Sequence, residues 1–270
     1  MQISNNPAGR LHALLREGQS KPKDKPASEI WAEILDVPKE DTGLLLRRVG
    51  HVLSLPSSVK EAMSYVDDLD HNIYLRWLSR VEASFSILNF QMAWKQFIER
   101  FDGEIMYGIE ICSDRLSRER PEKTADQTLL ENLLAKVNEL LDDLDNTELD
   151  ANVWFYIYDH LIKIKEAIEE YKIRGIKPLE AVFEQTVGGV VLSPELYQNS
   201  QKTPSGKRFW EVMGYLAIVV TITASSIQIG KDVVSILPPP EADEKNIIEQ
   251  PKDPNNKKPS NLEPGKIIKT

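Results

Sequence analysis

The stretch Phe209 to Leu237, FWEVMGYLAIVVTITASSIQIGKDVVSIL, constrains this chain more than any other, because charged amphipathic segments precede it and a Pro-, Lys- and Asn-rich tail follows it. Val212 to Ile229 carries no charged residue. As a helix rising about 1.5 Å per residue, this run spans about 27 Å, near the hydrocarbon thickness of a bilayer. The length predicts a single C-terminal transmembrane helix over 209–237. Two other readings stand beside it: a long helix buried in the chain's own core, and a strand over the β-branched AIVVTIT.

The run is not uniformly apolar. Gly214, Ala217, Thr221, Ser225, Gln228 and Asp232 recur every three or four residues and share one helical face, while Leu216, Val219, Ile222 and Ile227 lie elsewhere. In a membrane, such a face lets helices approach closely and hydrogen-bond, so Gly214, Ala217, Thr221, Ser225 and Gln228 form a candidate helix-association stripe. Phe209, Trp210 and Tyr215 are candidate membrane-interface residues, and Lys207 and Arg208 just before them would hold the preceding domain in the cytoplasm.

The upstream residues read as all-α: a multi-helix domain over 1–190 and a linker over 191–208, with a disordered tail over 238–270 after the apolar helix. Asn6-Pro7 is a polar cap followed by proline at the first helical position, and Leu11, Leu14 and Leu15 form one face ending at Gly18. Gln19 to Pro26 reads as a solvated linker, with Ser28 capping the next helix. Thr42 to Leu55 has helical spacing, and Pro56-Ser57 is expected to start a separate helix. The resulting pair has a helix-turn-helix outline, but SSVKEAMSYVDD offers one lysine among acids, so a plain helical hairpin is expected.

Residues 72–101 are aromatic-rich and are expected to supply much of the core. The segment IMYGIEICSDRL reads as a helix, although its alternation also suits a short strand. Thr128 to Leu144 and Val153 to Tyr171 carry apolar stripes at three- and four-residue spacing and are expected to pack antiparallel. Gly175 marks a helix stop, Pro178 a start, and Gly188-Gly189 the end of that helix or a sharp bend in it.

Composition narrows the function classes. A net charge of -9 argues against a dedicated nucleic-acid binder, which must neutralise phosphates with clustered Lys and Arg. The single cysteine, Cys112, excludes an internal disulfide and reads as a buried structural thiol. The N-terminus lacks the apolar core of a secretory signal. His12, His51, His71 and His160 are scattered without metal-ligand spacing. The carboxylate pairs Glu169-Glu170 and Asp142-Asp143 read as solvated helix faces, and no phosphate loop or nucleophile motif occurs. No catalytic, cofactor-binding or metal-ligating residue is therefore assigned, and no cofactor is expected.

The opening Asn6 to Leu11 (N-P-A-G-R-L), the Ile30-Trp31 pair and Glu169 to Leu179 (E-E-Y-K-I-R-G-I-K-P-L) resemble a group of uncharacterised prokaryotic helical proteins over roughly the first 190 residues. The resemblance implies an all-helical domain and no activity.

These readings lead to an expected membrane-anchored helical interaction or sensor protein, with a cytoplasmic domain, one span and a protein partner or self-association. A sharper version is a membrane effector of a prokaryotic defence or toxin-like system. The alternatives are a soluble helical scaffold or adaptor whose C-terminal helix docks on its own core or on a partner, and an enzyme of unrecognised type.

Overall fold

The computed structural model describes residues 6–144 and 149–222, and within them the chain is all-helical. Thirteen helices follow in order: α1 Pro7–Ser20, α2 Ala27–Ile34, α3 Thr42–Ser64, α4 His71–Tyr74, α5 Leu78–Ser86, α6 Trp94–Ile98, α7 Gly103–Glu119, α8 Gln127–Leu144, α9 Ala151–Glu169, α10 Tyr171–Arg174, α11 Lys177–Leu192, α12 Pro194–Ser200 and α13 Pro204–Ile222. They build two hydrophobic cores. The first gathers α1 to α7, and the second gathers α8, α9 and α11 to α13. Helix α10 serves both, with Tyr171 in the second core and Ile173 in the first.

Caps set several helix starts, the expected one at Asn6 among them. The Asn6 side chain accepts from the Gly9 amide at 2.9 Å, and Asp102 accepts from Ile105 at 3.0 Å at the head of α7. The first core centres on rings from the aromatic-rich stretch. Trp31 meets Trp94 edge-on at 5.3 Å, and Phe97 touches Trp94, Phe85 and Phe101. Trp94 donates its indole N–H to the Gly18 carbonyl at 2.7 Å, and a Cβ on Gly18 would lie 2.7 Å from that ring.

Several sequence expectations are corrected. Helix α3 runs unbroken through Pro56, so the hairpin and the helix-turn-helix outline both disappear. Pro56 forfeits one ladder hydrogen bond, a cost of about 3 kcal/mol, which the burial of Leu55, Pro56 and Val59 on one face offsets. Ser28 stands inside α2, whose N-cap is Pro26. The linker before it is stitched to a distant loop: Ala27 donates to the Met92 carbonyl at 2.9 Å, and Trp94 donates to Lys25 at 2.8 Å. Helix α11 continues through Gly188-Gly189 to Leu192. Gly189 is needed for close approach, since a Cβ there would lie 3.0 Å from the Tyr156 hydroxyl, which donates to the Thr186 carbonyl. Residues 191–208, expected as a linker, contain α12 and the start of α13.

Trp94→Ala removes the centre of the first ring cluster, and the urea unfolding midpoint should fall by an amount equivalent to about 3–5 kcal/mol. A loss below about 1 kcal/mol would show that the cluster does not hold this core together.

Candidate functional site: the seam, the cleft and the C-terminal helix

The two cores meet along a polar seam. Arg10 on α1 is almost wholly buried, at 5% exposure; its Nε donates to the Ile173 carbonyl at 3.0 Å and Nη1 donates to Glu122 at 2.5 Å. Gly175, with φ at +66°, lies against the same guanidinium, where a Cβ would come within 2.7 Å of Nη1. Lys172 reaches from α10 to Glu17 at 2.8 Å and to the Ile34 carbonyl at 2.9 Å, placing a cation at the C-terminus of α2. Asn6 donates to the Ser113 carbonyl at 3.1 Å and the Ser117 hydroxyl at 2.8 Å. The three separated stretches that carry the sequence resemblance thus converge, since Arg10, the helix holding Ile30-Trp31, and Glu169 to Gly175 all contribute to this seam.

The acidic end of α9 completes it. Glu170, expected on a solvated face, is 1% exposed and is corrected here to a buried group. It meets Arg174 at 2.9 Å, Arg47 at 3.1 Å and His51 at 3.3 Å. Glu169 pairs with Arg48 at 2.8 Å, and Arg48 also donates to the Leu35 carbonyl at 2.7 Å. The sequence signal for this was the spacing Arg47-Arg48-x-x-His51 on one helix opposite Glu166-x-x-Glu169-Glu170 on another, which charge patterning alone cannot pair.

Beside the seam opens a cleft of about 1430 Å³. Its lining includes Asp36, Asp126 and Glu131, with Arg10, Lys172 and Glu169 already spent on seam partners. Leu130, Leu134 and Ile168 supply apolar lining. The surface is therefore acidic with an apolar strip, which suits a cationic or amphipathic segment.

Helix α13 holds the described part of the apolar run. Phe209, Trp210, Met213, Leu216 and Val219 are buried in the second core. Trp210 donates to the Ser200 hydroxyl at 2.7 Å, and Arg208 pairs with Glu139 at 2.9 Å and Asp143 at 2.5 Å. Lys136 lies 4.2 Å over the Tyr215 ring, and Lys207 is exposed. Gly214, Ala217 and Thr221 share the partly exposed side of the helix. Ser225 and Gln228, with the rest of 223–237 and the tail, lie outside the described residues. Among the described residues, no helix is long and apolar enough to cross a membrane. The start of α13 was readable as Thr203-Pro204: the Thr203 hydroxyl accepts from the Gly206 amide at 3.1 Å.

Among the described residues no group of three or more His, Cys, Asp or Glu side chains could hold a metal ion. Cys112 is fully buried, and burial pushes its thiol above the ordinary range. No protein family, curated relative or solved structure matches the chain.

Burial lowers the pKa of His12, His51 and His160 below the usual imidazole range. The unfolded chain then binds protons near pH 6.5 that the folded chain refuses, so stability is full above about 6.5 and declines as pH falls through that window. Denaturant midpoints should hold level from about pH 7.5 to 6.5 and drop as the pH falls below about 6.5, and His51→Gln should remove part of the slope. A flat profile would contradict the buried imidazoles. Removing both Arg47 and Arg174 strands Glu170 and should cost about 3–5 kcal/mol, whereas Glu170→Gln, which leaves only half-exposed arginines, should cost less than half of that.

Proposed function

We propose that the chain is a helical adaptor, an interaction protein of two clasped cores whose C-terminal helix docks on its own bundle and whose cleft receives a partner polypeptide. The observation that carries this reading is the burial of Phe209, Trp210, Met213 and Leu216 of α13 against the second core. Docked in this way, those side chains complete a hydrophobic core and are withheld from lipid. The partly exposed side of α13, with Gly214, Ala217 and Thr221, is narrow enough for another helix to approach, from a partner or a second copy. The acidic cleft adds a surface for a cationic or amphipathic segment of a protein partner. Net acidity supports a protein rather than a nucleic-acid partner.

A second reading is favoured by one specific feature. The charge-free run begun in α13 extends past the described residues to Ile229, a length that suits a membrane-anchored interaction protein or effector.

Two truncations and a fractionation separate the readings. Full-length protein should remain in the supernatant after a carbonate wash of membranes, and a chain ending at Thr203 should lose cooperative unfolding and bind a hydrophobic dye, because it lacks a helix of the second core. A chain ending at Ile222 should keep both properties of the full-length protein. Full-length protein retained in the washed pellet, together with a cooperatively folded chain ending at Thr203, would reject the adaptor reading in favour of the anchor.

A further inference from the structure

A second concave surface, sharing no residue with the cleft, lies between α4 and α7. Trp77 and Gly108 form its floor, Ile73, Tyr107 and Ile111 its apolar walls, and its volume is about 290 Å³. Ile73 and Tyr107 are 63% and 62% exposed, so two large apolar groups flank the opening without cover from the described chain.

The floor is fixed from below. Trp77 is buried and donates its indole N–H to the Cys112 sulfur at 3.5 Å, and that thiol donates to the Tyr74 carbonyl at 3.3 Å. A Cβ on Gly108 would lie 2.7 Å from the Trp77 ring, so the glycine lets the indole press against α7. A wall of this kind receives an apolar group without having to reorganise, which limits the entropic cost of binding.

The rim is charged, with Arg76, Arg80 and Glu104 in the lining and Asp102 beside it. Glu104 takes Arg80 at 3.1 Å and Arg76 at 3.3 Å, and Arg80 also pairs with Asp102. Arg80 is thereby committed to two carboxylates. Arg76 is 66% exposed and makes one ion-pair contact, which leaves most of its fork of N–H donors facing outward. The pocket is at the small end of the roughly 300–1,000 Å³ range of ligand sites, a size suited to one large side chain rather than a nucleotide cofactor.

We propose that this pocket is a docking site for a partner polypeptide segment presenting one large apolar side chain within a helical turn of a carboxylate, the apolar group seated on Trp77 and the carboxylate on Arg76. The inference rests on the adaptor reading and gives it a second binding surface, opposite in charge preference to the acidic cleft.

The test is fluorescence anisotropy of the full chain with short fluorescein-labelled peptides carrying a single Phe and, one helical turn away, Asp, Asn or Lys. The Asp peptide should bind about tenfold more tightly than the Lys peptide, as expected for a charge-assisted contact. Ile73→Asp, at an exposed position outside the core, should abolish binding of all three peptides with an unchanged circular dichroism spectrum. Arg76→Glu should invert the order, so that the Lys peptide binds best. Equal binding of Asp and Lys peptides to the wild type, or no binding of any, would overturn the pocket. Binding that survives Ile73→Asp would also overturn it while leaving the adaptor reading in place, since that reading stands or falls on the truncation and fractionation results.

Discussion

The guanidinium of Arg10 is the contact on which the arrangement of the two cores depends. It projects from the first helix, is withdrawn from water, and pairs with groups that come after α7 in the chain: the Ile173 carbonyl on α10 and the Glu122 carboxylate in the connection to α8. A buried cation without these partners would cost several kcal/mol, so the seated position of α1 depends on the chain before α8 and on the turn through α10. Gly175 follows from the same constraint, because its left-handed backbone and missing Cβ leave room for the guanidinium. Glu170 with Arg47 and Arg174, and Lys172 with the end of α2, repeat the logic along the seam. Such pairs contribute less to net stability than their geometry suggests, since desolvation consumes most of the Coulomb gain. Their effect here is to select one docking of two cores that hydrophobic burial alone would leave free to slide.

Much of the fold could be read from the sequence because most helices carry their own caps and stripes. Asn6, Asp102, the leucine ladder of α8 and the Gly175 stop all act within a few residues, and local rules find local signals. The misreadings share the opposite cause. Pro56 and Gly188-Gly189 are breakers by intrinsic preference, yet tertiary packing carries α3 and α11 through them. Glu170 is a solvated acid on its own helix and a buried one only because α3 arrives opposite it. The pairing of the segment before α2 with the loop before α6 joins residues distant in sequence, and no periodicity reports it.

The apolar run with which the sequence analysis began has acquired a different meaning over its described part. Its length suggested lipid, but length does not distinguish a bilayer from a protein core. The distinguishing information lies in what the neighbouring helices offer: α8 and α9 expose an apolar groove that Phe209, Met213 and Leu216 fill, and α12 supplies Ser200 for the Trp210 indole. Most of the polar and charged members of α13 then fall naturally into place, with Arg208 on the acidic end of α8 and Tyr215 under Lys136. The small-residue stripe remains partly exposed, and the cleft and the pocket on Trp77 lie in other parts of the surface.

Through Arg10 and Glu170, the seam should make the two cores one cooperative body. The most direct measurement is a urea titration of the full chain labelled with 5-fluorotryptophan, followed by fluorine NMR, in which Trp94 reports the first core and Trp210 the second. The account predicts that both native signals disappear at the same urea concentration, and that Arg10→Ala separates them. Two well-separated transitions in the wild-type protein would contradict it.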